Sequence, residues 1–285
     1  MSTSRPAVTV PRIARTKVRR GDAPLVMLTA YEASAARLAD RAGIDVLLVG
    51  DSLGMVVQGG RDTLQVTVDH VAYHCRCVTE PGVTALVVAD MPWLSYHVST
   101  EDAVRNAGRL MREGRAGAVK LEGGAVRVPA VRAILAAEIP VMGHVGLTPQ
   151  SVHVMGGYKV QGRDVVSAER LLDDALALED AGVFALVLEG MPADVAARVT
   201  ERLEIPTIGI GAGAACDGQV LVWHDLLGLG DGPLPRFVRQ YEDLGARITD
   251  ALGRYAADVR SGAFPSEAEA YGSAHPAPVR AAGEG

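Results

Sequence analysis

The stretch GAVKLEGG (117–124) places an ammonium and a carboxylate two residues apart inside an apolar segment. In a β-strand, positions i and i+2 point to the same face, so Lys120 and Glu122 share one side while Leu121 takes the other. Burying either charge alone is costly, so the pattern calls for a partner, a metal ion or a charged substrate. Other apolar runs end in comparable residues. Asp51 and Ser52 follow IDVLLVG, Asp90 ends TALVVAD, His144 lies in IPVMGHVGL, and Glu189 ends VFALVLE. Carboxylates gathered at one mouth repel each other, and a divalent cation removes the conflict. Asp51, Asp90 and Glu122 offer hard oxygens with no cysteine or paired histidine beside them, which favours Mg²⁺ (or Mn²⁺) over zinc. A 2-oxo acid could add two oxygens from its carboxylate and keto groups. The cation and Lys120 would then stabilise a developing enolate, with Glu189 placed to take the proton from the neighbouring carbon.

Singly, each residue has a plainer reading. An aspartate after a strand commonly caps a helix or forms a turn, and a histidine beside an apolar run commonly sits hydrogen-bonded in the core. The joint placement carries the chemical reading, and that placement depends on the elements between. Eight apolar runs recur: 24–31, 44–52, 84–92, 117–124, 139–147, 183–190, 205–213 and 219–229. They are rich in Val, Leu and Ile and mostly unalternated, as expected of parallel strands buried on both faces. Between them lie helical segments such as EASAARLADRAG, STEDAVRNAGRLMREG and SAERLLDDALALEDAG. Ser99 and Ser167 open such helices in this reading, and Gly43, Gly114 and Gly182 close them. The rhythm predicts a (β/α)8 barrel over residues 21–262, in which functional side chains sit at the C-terminal ends of the strands. The eighth run carries the weakest strand signal.

The chain has 285 residues and a formal charge of −6, which argues against nucleic acid as a partner. No apolar stretch approaches the roughly 20 residues needed to cross a membrane, and no secretion-signal pattern opens the sequence. With three cysteines (Cys75, Cys77 and Cys216), a reduced cytoplasmic setting and small packing roles are expected. Residues 1–20 hold six basic residues and no acid, and read as a surface arm leading into the fold. Residues 263–285, rich in Ala, Gly, Pro and Ser, read as a disordered tail. Only three lysines occur against 25 arginines: Lys17, Lys120 and Lys159.

The sequence resembles the ketopantoate (3-methyl-2-oxobutanoate) hydroxymethyltransferase family. The matching stretches, over roughly residues 20–265, are TAYEASAARLADRAGIDVLLVGDSLGMVVQG, ADMPWLSYH, AVKLEGG, IPVMGHVGLTPQSVHVMGGYKVQGR, ALVLEGMP and IPTIGIGAGAACDGQVLVWHDLLGL. The resemblance implies a TIM barrel of the phosphoenolpyruvate/isocitrate lyase type, assembled as a homodecamer. It implies Mg²⁺ at Asp51, Asp90 and Glu122, and oxo-acid contacts at Asp51, Ser52, Asp90 and Lys120. Glu189 matches the proton acceptor, and His144 a pocket histidine. The implied reaction takes the C3 proton of 3-methyl-2-oxobutanoate and adds the one-carbon unit of 5,10-methylenetetrahydrofolate, giving 2-dehydropantoate for pantothenate and coenzyme A synthesis. Folate and the branched acid come from the resemblance alone.

Three other readings compete. A C–C lyase of the same superfamily would use a reactive cysteine in a loop, and none lies near KLEGG or GHVG. Gly209, Gly211 and Gly213 could present backbone N–H groups to a phosphate, or could serve tight packing. A catalytically dead scaffold gives no reason for charges to ring one mouth.

Overall fold

A computed structural model describes residues 5–230 and 232–272. Eight strands, β1 (Leu25–Thr29), β2 (Val46–Val49), β3 (Leu86–Asp90), β4 (Ala118–Lys120), β5 (Val141–Gly146), β6 (Ala185–Glu189), β7 (Thr207–Ile210) and β8 (Gly218–Leu221), close into a barrel in chain order. Every neighbouring pair is parallel, β8 returning to β1. Seven strands fall inside the expected apolar runs, and β8 begins one residue before the eighth. β2, β3 and β5 are buried at every position, which is why they read as continuous apolar runs. The eighth run splits: β8 ends at Leu221, and Trp223–Leu227 turns into a short helix whose first N–H donates to Thr29 Oγ1 at 2.9 Å.

The helices are α1 (Val10–Arg15), α2 (Ala33–Arg41), α3 (Leu53–Val56), α4 (Val68–Thr79), α5 (Thr100–Arg112) and α6 (Val128–Ala136). They continue with α7 (Val152–Met155), α8 (Val165–Ala181), α9 (Ala193–Arg202), α10 (Trp223–Leu227) and α11 (Leu244–Ser261). Ser99 caps α5 by accepting from the N–H of Asp102, as its sequence position suggested. The start of α8 differs from expectation. Asp164 is its cap and Ser167 the third helical residue, the two forming a reciprocal capping box that begins the helix three residues early. Gly182 ends α8 at φ +103°, a left-handed conformation that a side chain would strain.

The core has two layers. Met27, Val46, Leu48, Val88, Ala118, Met142, Val187, Ile208 and Val220 fill the barrel interior. A larger shell between strands and helices includes Leu47, Val49, Leu110, Ile134 and Leu178. The basic arm does not simply run over the surface. Val8 and Ile13 join the interior cluster, and Lys17 is fully buried. Lys17 Nζ donates to Asp217 Oδ2 (2.8 Å), Thr200 O (2.9 Å) and Ile205 O (3.0 Å), so three N–H bonds meet three acceptors beneath β7 and β8. The arm thereby stops the N-terminal end of the barrel. At the other end of the chain, α11 has no buried residue. It exposes Ile248, Leu252, Tyr255 and Val259, spaced to form one apolar stripe. Residues 263–272 are exposed and carry no helix or strand, while 273–285, the rest of the expected tail, lie outside the described residues. No helix among the described residues is long and apolar enough to cross a membrane.

Candidate active site

Strand register brings the polar residues to one mouth. Asp90 pairs with Lys120 across β3 and β4, and Gly146 with Glu189 across β5 and β6. Glu122 lies two residues beyond β4, and the Gly123–His144 bridge ties that segment to β5. Asp51 and Ser52 follow β2 at the start of α3. All six sequence-predicted strand-end positions, with Lys120 between them, line one cavity of about 100 Å³, together with Thr29, Leu48, Pro149, Val187, Ile210 and Val222. The space suits a molecule of a few heavy atoms.

The contacts form a chain. Lys120 Nζ lies 2.5 Å from Asp90 Oδ1 and 3.3 Å from His144 Nδ1. His144 Nε2 lies 3.3 Å from Glu189 Oε2. An ammonium only donates, so Nδ1 must accept and Nε2 carries the ring proton; Nε2 makes no aligned hydrogen bond, Glu189 Oε2 being near it but off the N–H direction. Asp51 N donates to Asp90 Oδ2 at 3.1 Å, and Ser52 Oγ meets Tyr31 OH at 2.8 Å. Lys120 has two partners among the described residues for three N–H bonds, leaving one for a guest.

Electrostatics are uneven. Asp51, Asp90, Lys120, Glu122 and His144 are all under 5% exposed. Burial and the neighbouring Asp90 push the Asp51 carboxyl up to about 7. Burial and Asp51 likewise raise Glu122 well above the usual carboxylate range. Burial alone would lower Lys120, but Asp90, Glu122 and Asp51 outweigh it and hold the ammonium charged. Burial and the adjacent ammonium depress His144, which stays neutral and keeps the tautomer deduced above.

Comparison with known proteins identifies the setting. Residues 7–267 match the family described as ketopantoate hydroxymethyltransferase. The 3-methyl-2-oxobutanoate hydroxymethyltransferase of Pelobacter propionicus is 53% identical over 271 residues, 95% of this chain and all of that protein. That of Moorella thermoacetica is 55% identical over 267 residues, 94% of this chain and 98% of the other. The chain belongs to the ketopantoate hydroxymethyltransferase family. It is an enzyme, a transferase of pantothenate biosynthesis. Among solved structures, 2,3-dimethylmalate lyase, a member of the PEP mutase/isocitrate lyase superfamily, superposes with a TM-score of 0.59 at 18% identity, covering 90% of this chain and 89% of that one. Phosphonopyruvate hydrolase in complex with oxalate and Mg²⁺ gives 0.58 at 14%, covering 92% and 93%. At such identities these two speak for the barrel alone. The family match begins at residue 7 rather than about 20, consistent with an arm that belongs to the fold.

For a hydroxymethyltransferase of this family, a divalent cation is the natural question. Among the described residues, no three His, Cys, Asp or Glu side chains already converge as a ligand group. Asp90 Oδ1 pairs with Lys120 instead, and Gln150 Nε2 donates to Asp51 Oδ2 at 2.8 Å. The donor set nevertheless fits a hard cation. Asp51, Asp90, Glu122 and Glu189 bring four carboxyls to a wall with one ammonium and one neutral imidazole, and all donors are oxygens.

Two residues went unread in the sequence although both lie in stretches that carry the family likeness. Gln150 touches Asp51 by its side chain and Glu122 Oε2 by its backbone N–H at 3.0 Å. Tyr96 OH donates to Gln150 Oε1 at 2.6 Å and accepts from Glu122 N at 3.1 Å. Only their position in GHVGLTPQ and ADMPWLSYH could have flagged them. The cysteines take no part, since none lines the cavity. The glycines after β7 serve packing: a Cβ at Gly211 would meet Phe237 at 2.8 Å, and one at Gly213 would meet Ala193 at 2.5 Å.

Proposed function

We propose that this enzyme transfers the one-carbon unit of 5,10-methylenetetrahydrofolate to 3-methyl-2-oxobutanoate, giving 2-dehydropantoate and tetrahydrofolate. The observation that carries the reading is one small cavity that brings Lys120, His144 and the carboxylates Asp51, Asp90, Glu122 and Glu189 together, with Lys120 against His144 Nδ1 and Glu189 Oε2 3.3 Å from His144 Nε2. Asp51, Asp90 and Glu122 would hold Mg²⁺. When bound, the ion supplies positive charge to the oxo acid's carboxylate and keto oxygens and so acidifies the C3–H bond. Ser52 and Lys120 orient the acid, the spare N–H of Lys120 facing the oxygen on which negative charge grows. Glu189 accepts the C3 proton, with the neutral imidazole of His144 beside its carboxylate. Water cleaves the folate methylene carbon from its two nitrogens, which take the two water hydrogens as formaldehyde is set free in the site; the carbanionic C3 then bonds to that carbon, and the resulting alkoxide takes the proton held by Glu189.

The apolar stripe of α11 supports self-association, for which the family resemblance implies a homodecamer, and a cytoplasmic setting accords with a reduced cysteine set. No nucleic-acid or membrane partner is proposed. The deciding experiment is C3 proton exchange: 3-methyl-2-oxobutanoate in D₂O with Mg²⁺ and no folate, followed by proton NMR. Wild-type protein should exchange the C3 proton, and Glu189→Gln should lose that exchange by at least about 100-fold while binding Mg²⁺ as before. Exchange by Glu189→Gln at the wild-type rate would remove Glu189 from the mechanism. Absence of exchange in the wild type would remove the enolate route.

A further inference from the structure

The three carboxylates proposed to hold the cation share one feature. Each has one oxygen tied to an N–H of the protein. Gln150 Nε2 donates to Asp51 Oδ2 (2.8 Å), the backbone N–H of Gln150 donates to Glu122 Oε2 (3.0 Å), and Asp51 N donates to Asp90 Oδ2 (3.1 Å). The second oxygens differ: Asp90 Oδ1 pairs with the Lys120 ammonium, whereas Asp51 Oδ1 and Glu122 Oε1 accept no hydrogen bond among the described residues. One residue, Gln150, supplies two of these three ties, although it lies 99 and 28 positions along the chain from the carboxylates it touches.

Gln150 is itself immobilised. Its side chain is 5% exposed, and Nε2 gives its second hydrogen to Met91 O at 2.9 Å. Met91 O can only accept, which assigns nitrogen and oxygen of the amide. Oε1 accepts from Tyr96 OH at 2.6 Å, and Tyr96 OH accepts in turn from Glu122 N at 3.1 Å. Gln150, Tyr96 and Glu122 thus close a ring of hydrogen bonds beside the cavity, and Gln150 extends it to Asp51. The turn that carries Gln150, Pro149–Ser151, begins at a proline, whose ring fixes one backbone angle.

We propose that Gln150 is a positioning residue that holds Asp51 and Glu122 to one-oxygen coordination and thereby makes the site prefer Mg²⁺ over Ca²⁺. The inference rests on the reading that Asp51, Asp90 and Glu122 bind the cation. Mg²⁺ takes six ligands in a tight octahedron at roughly 2.0–2.1 Å and suits carboxylates that give one oxygen each. Ca²⁺ takes six to eight at roughly 2.3–2.6 Å and gains from carboxylates that give two. A carboxylate whose second oxygen is held by a buried N–H cannot turn both oxygens inward without breaking that bond and stranding the donor. Hydrogen bonds from outer partners to metal-binding carboxylates commonly matter by about 10–100-fold in metal affinity.

The test is calorimetric titration of the full chain with MgCl₂ and with CaCl₂, without substrate, on wild type, Gln150→Met, Tyr96→Phe and Glu122→Gln. Gln150→Met keeps the length of the side chain and the backbone N–H to Glu122 and removes only the amide. It should weaken Mg²⁺ by about 10-fold or more while Ca²⁺ binding holds or tightens, so the Mg²⁺/Ca²⁺ affinity ratio falls at least that far. Tyr96→Phe, which frees Gln150 Oε1, should move the ratio the same way by less, and serves if Gln150→Met does not fold. Glu122→Gln should weaken both ions. Unchanged Mg²⁺ and Ca²⁺ affinities in Gln150→Met, or equal weakening of both, would overturn the proposal while leaving the ligand reading intact. Wild-type Mg²⁺ affinity retained in Glu122→Gln would overturn the ligand reading, and this proposal with it.

Discussion

Lys17 offers the sharpest test of whether the N-terminal arm is part of the barrel. Its ammonium is fully buried and satisfies Asp217 Oδ2, Thr200 O and Ile205 O at 2.8–3.0 Å. Asp217 also accepts from Val18 N at its other oxygen and from Thr207 N, so four chain segments meet there. Lys17→Met retains much of the apolar stem but removes every N–H donor. It leaves a carboxylate that is 1% exposed without its counter-charge, and two carbonyls without a donor. Breaking a buried pair from one side typically costs about 3–5 kcal/mol. With a urea slope of about 3 kcal/mol/M for a chain of this size, the unfolding midpoint should fall by roughly 1–1.7 M.

A second variant separates charge from packing. In Lys17→Met/Asp217→Asn the stranded charge is gone, and an amide can donate to a carbonyl while still accepting one N–H. The double variant should therefore be more stable than Lys17→Met alone, with a coupling of about 1–3 kcal/mol. Urea titration followed by circular dichroism measures both. A loss below about 1 kcal/mol in Lys17→Met, or a double variant that is simply the sum of the two single losses, would refute the reasoning. Initial rates at low temperature should be unchanged, because this pair lies at the opposite end of the barrel from the cavity.

Lys120→Ala should raise KM for the oxo acid at least about 10-fold and lower kcat as well, measured by steady-state kinetics; wild-type values would exclude the ammonium from the site. Mg²⁺ affinity should depend on pH. With Asp51 raised to about 7, the folded metal-free protein holds a proton between roughly pH 4 and 7 that the unfolded chain has released. The ion must displace it, and Glu122, also raised by burial and Asp51, adds to the demand, so affinity should fall by at least about tenfold per pH unit below 7, with proton release seen by calorimetry in buffers of different ionisation enthalpy. For the same reason, metal-free stability should rise as pH falls from 7 toward 4, since the folded state binds more protons in that window. A flat Mg²⁺ affinity from pH 5.5 to 7.5 would contradict the assignment.

The strands were legible because burial on both faces writes a continuous apolar run, as in VLLV of β2 and LVVAD of β3. The site was legible because a parallel barrel turns the ends of successive strands into one rim, so Asp51, Asp90, Lys120 and Glu189 could be placed without knowing any distance. Less was readable where a residue acts across long separations. Gln150 and Tyr96 look like loop residues until the chain closes, and the eighth run hid the helix Trp223–Leu227 because no glycine or proline separates VLV from the turn that follows. The start of α8 was misplaced because Ser167 and Asp164 are both good caps, and the capping box uses both.

Two of the rare lysines show why burial alone does not separate structure from function. Lys17 and Lys120 are both nearly inaccessible, and both pair with an aspartate. Around Lys17 the account balances: one ammonium faces one carboxylate, and its three N–H bonds find three acceptors. Around Lys120 it does not, because one ammonium faces Asp90, Glu122 and Asp51, with Glu189 beyond a neutral imidazole. A folded chain gains nothing in stability from surplus buried carboxylates; Asp51 and Glu122 resist ionisation for that reason. Surplus negative charge held in place by backbone N–H groups and a locked amide makes physical sense when a positive guest completes it. That imbalance, more than the presence of any single residue, distinguishes the C-terminal mouth from the stoppered N-terminal end.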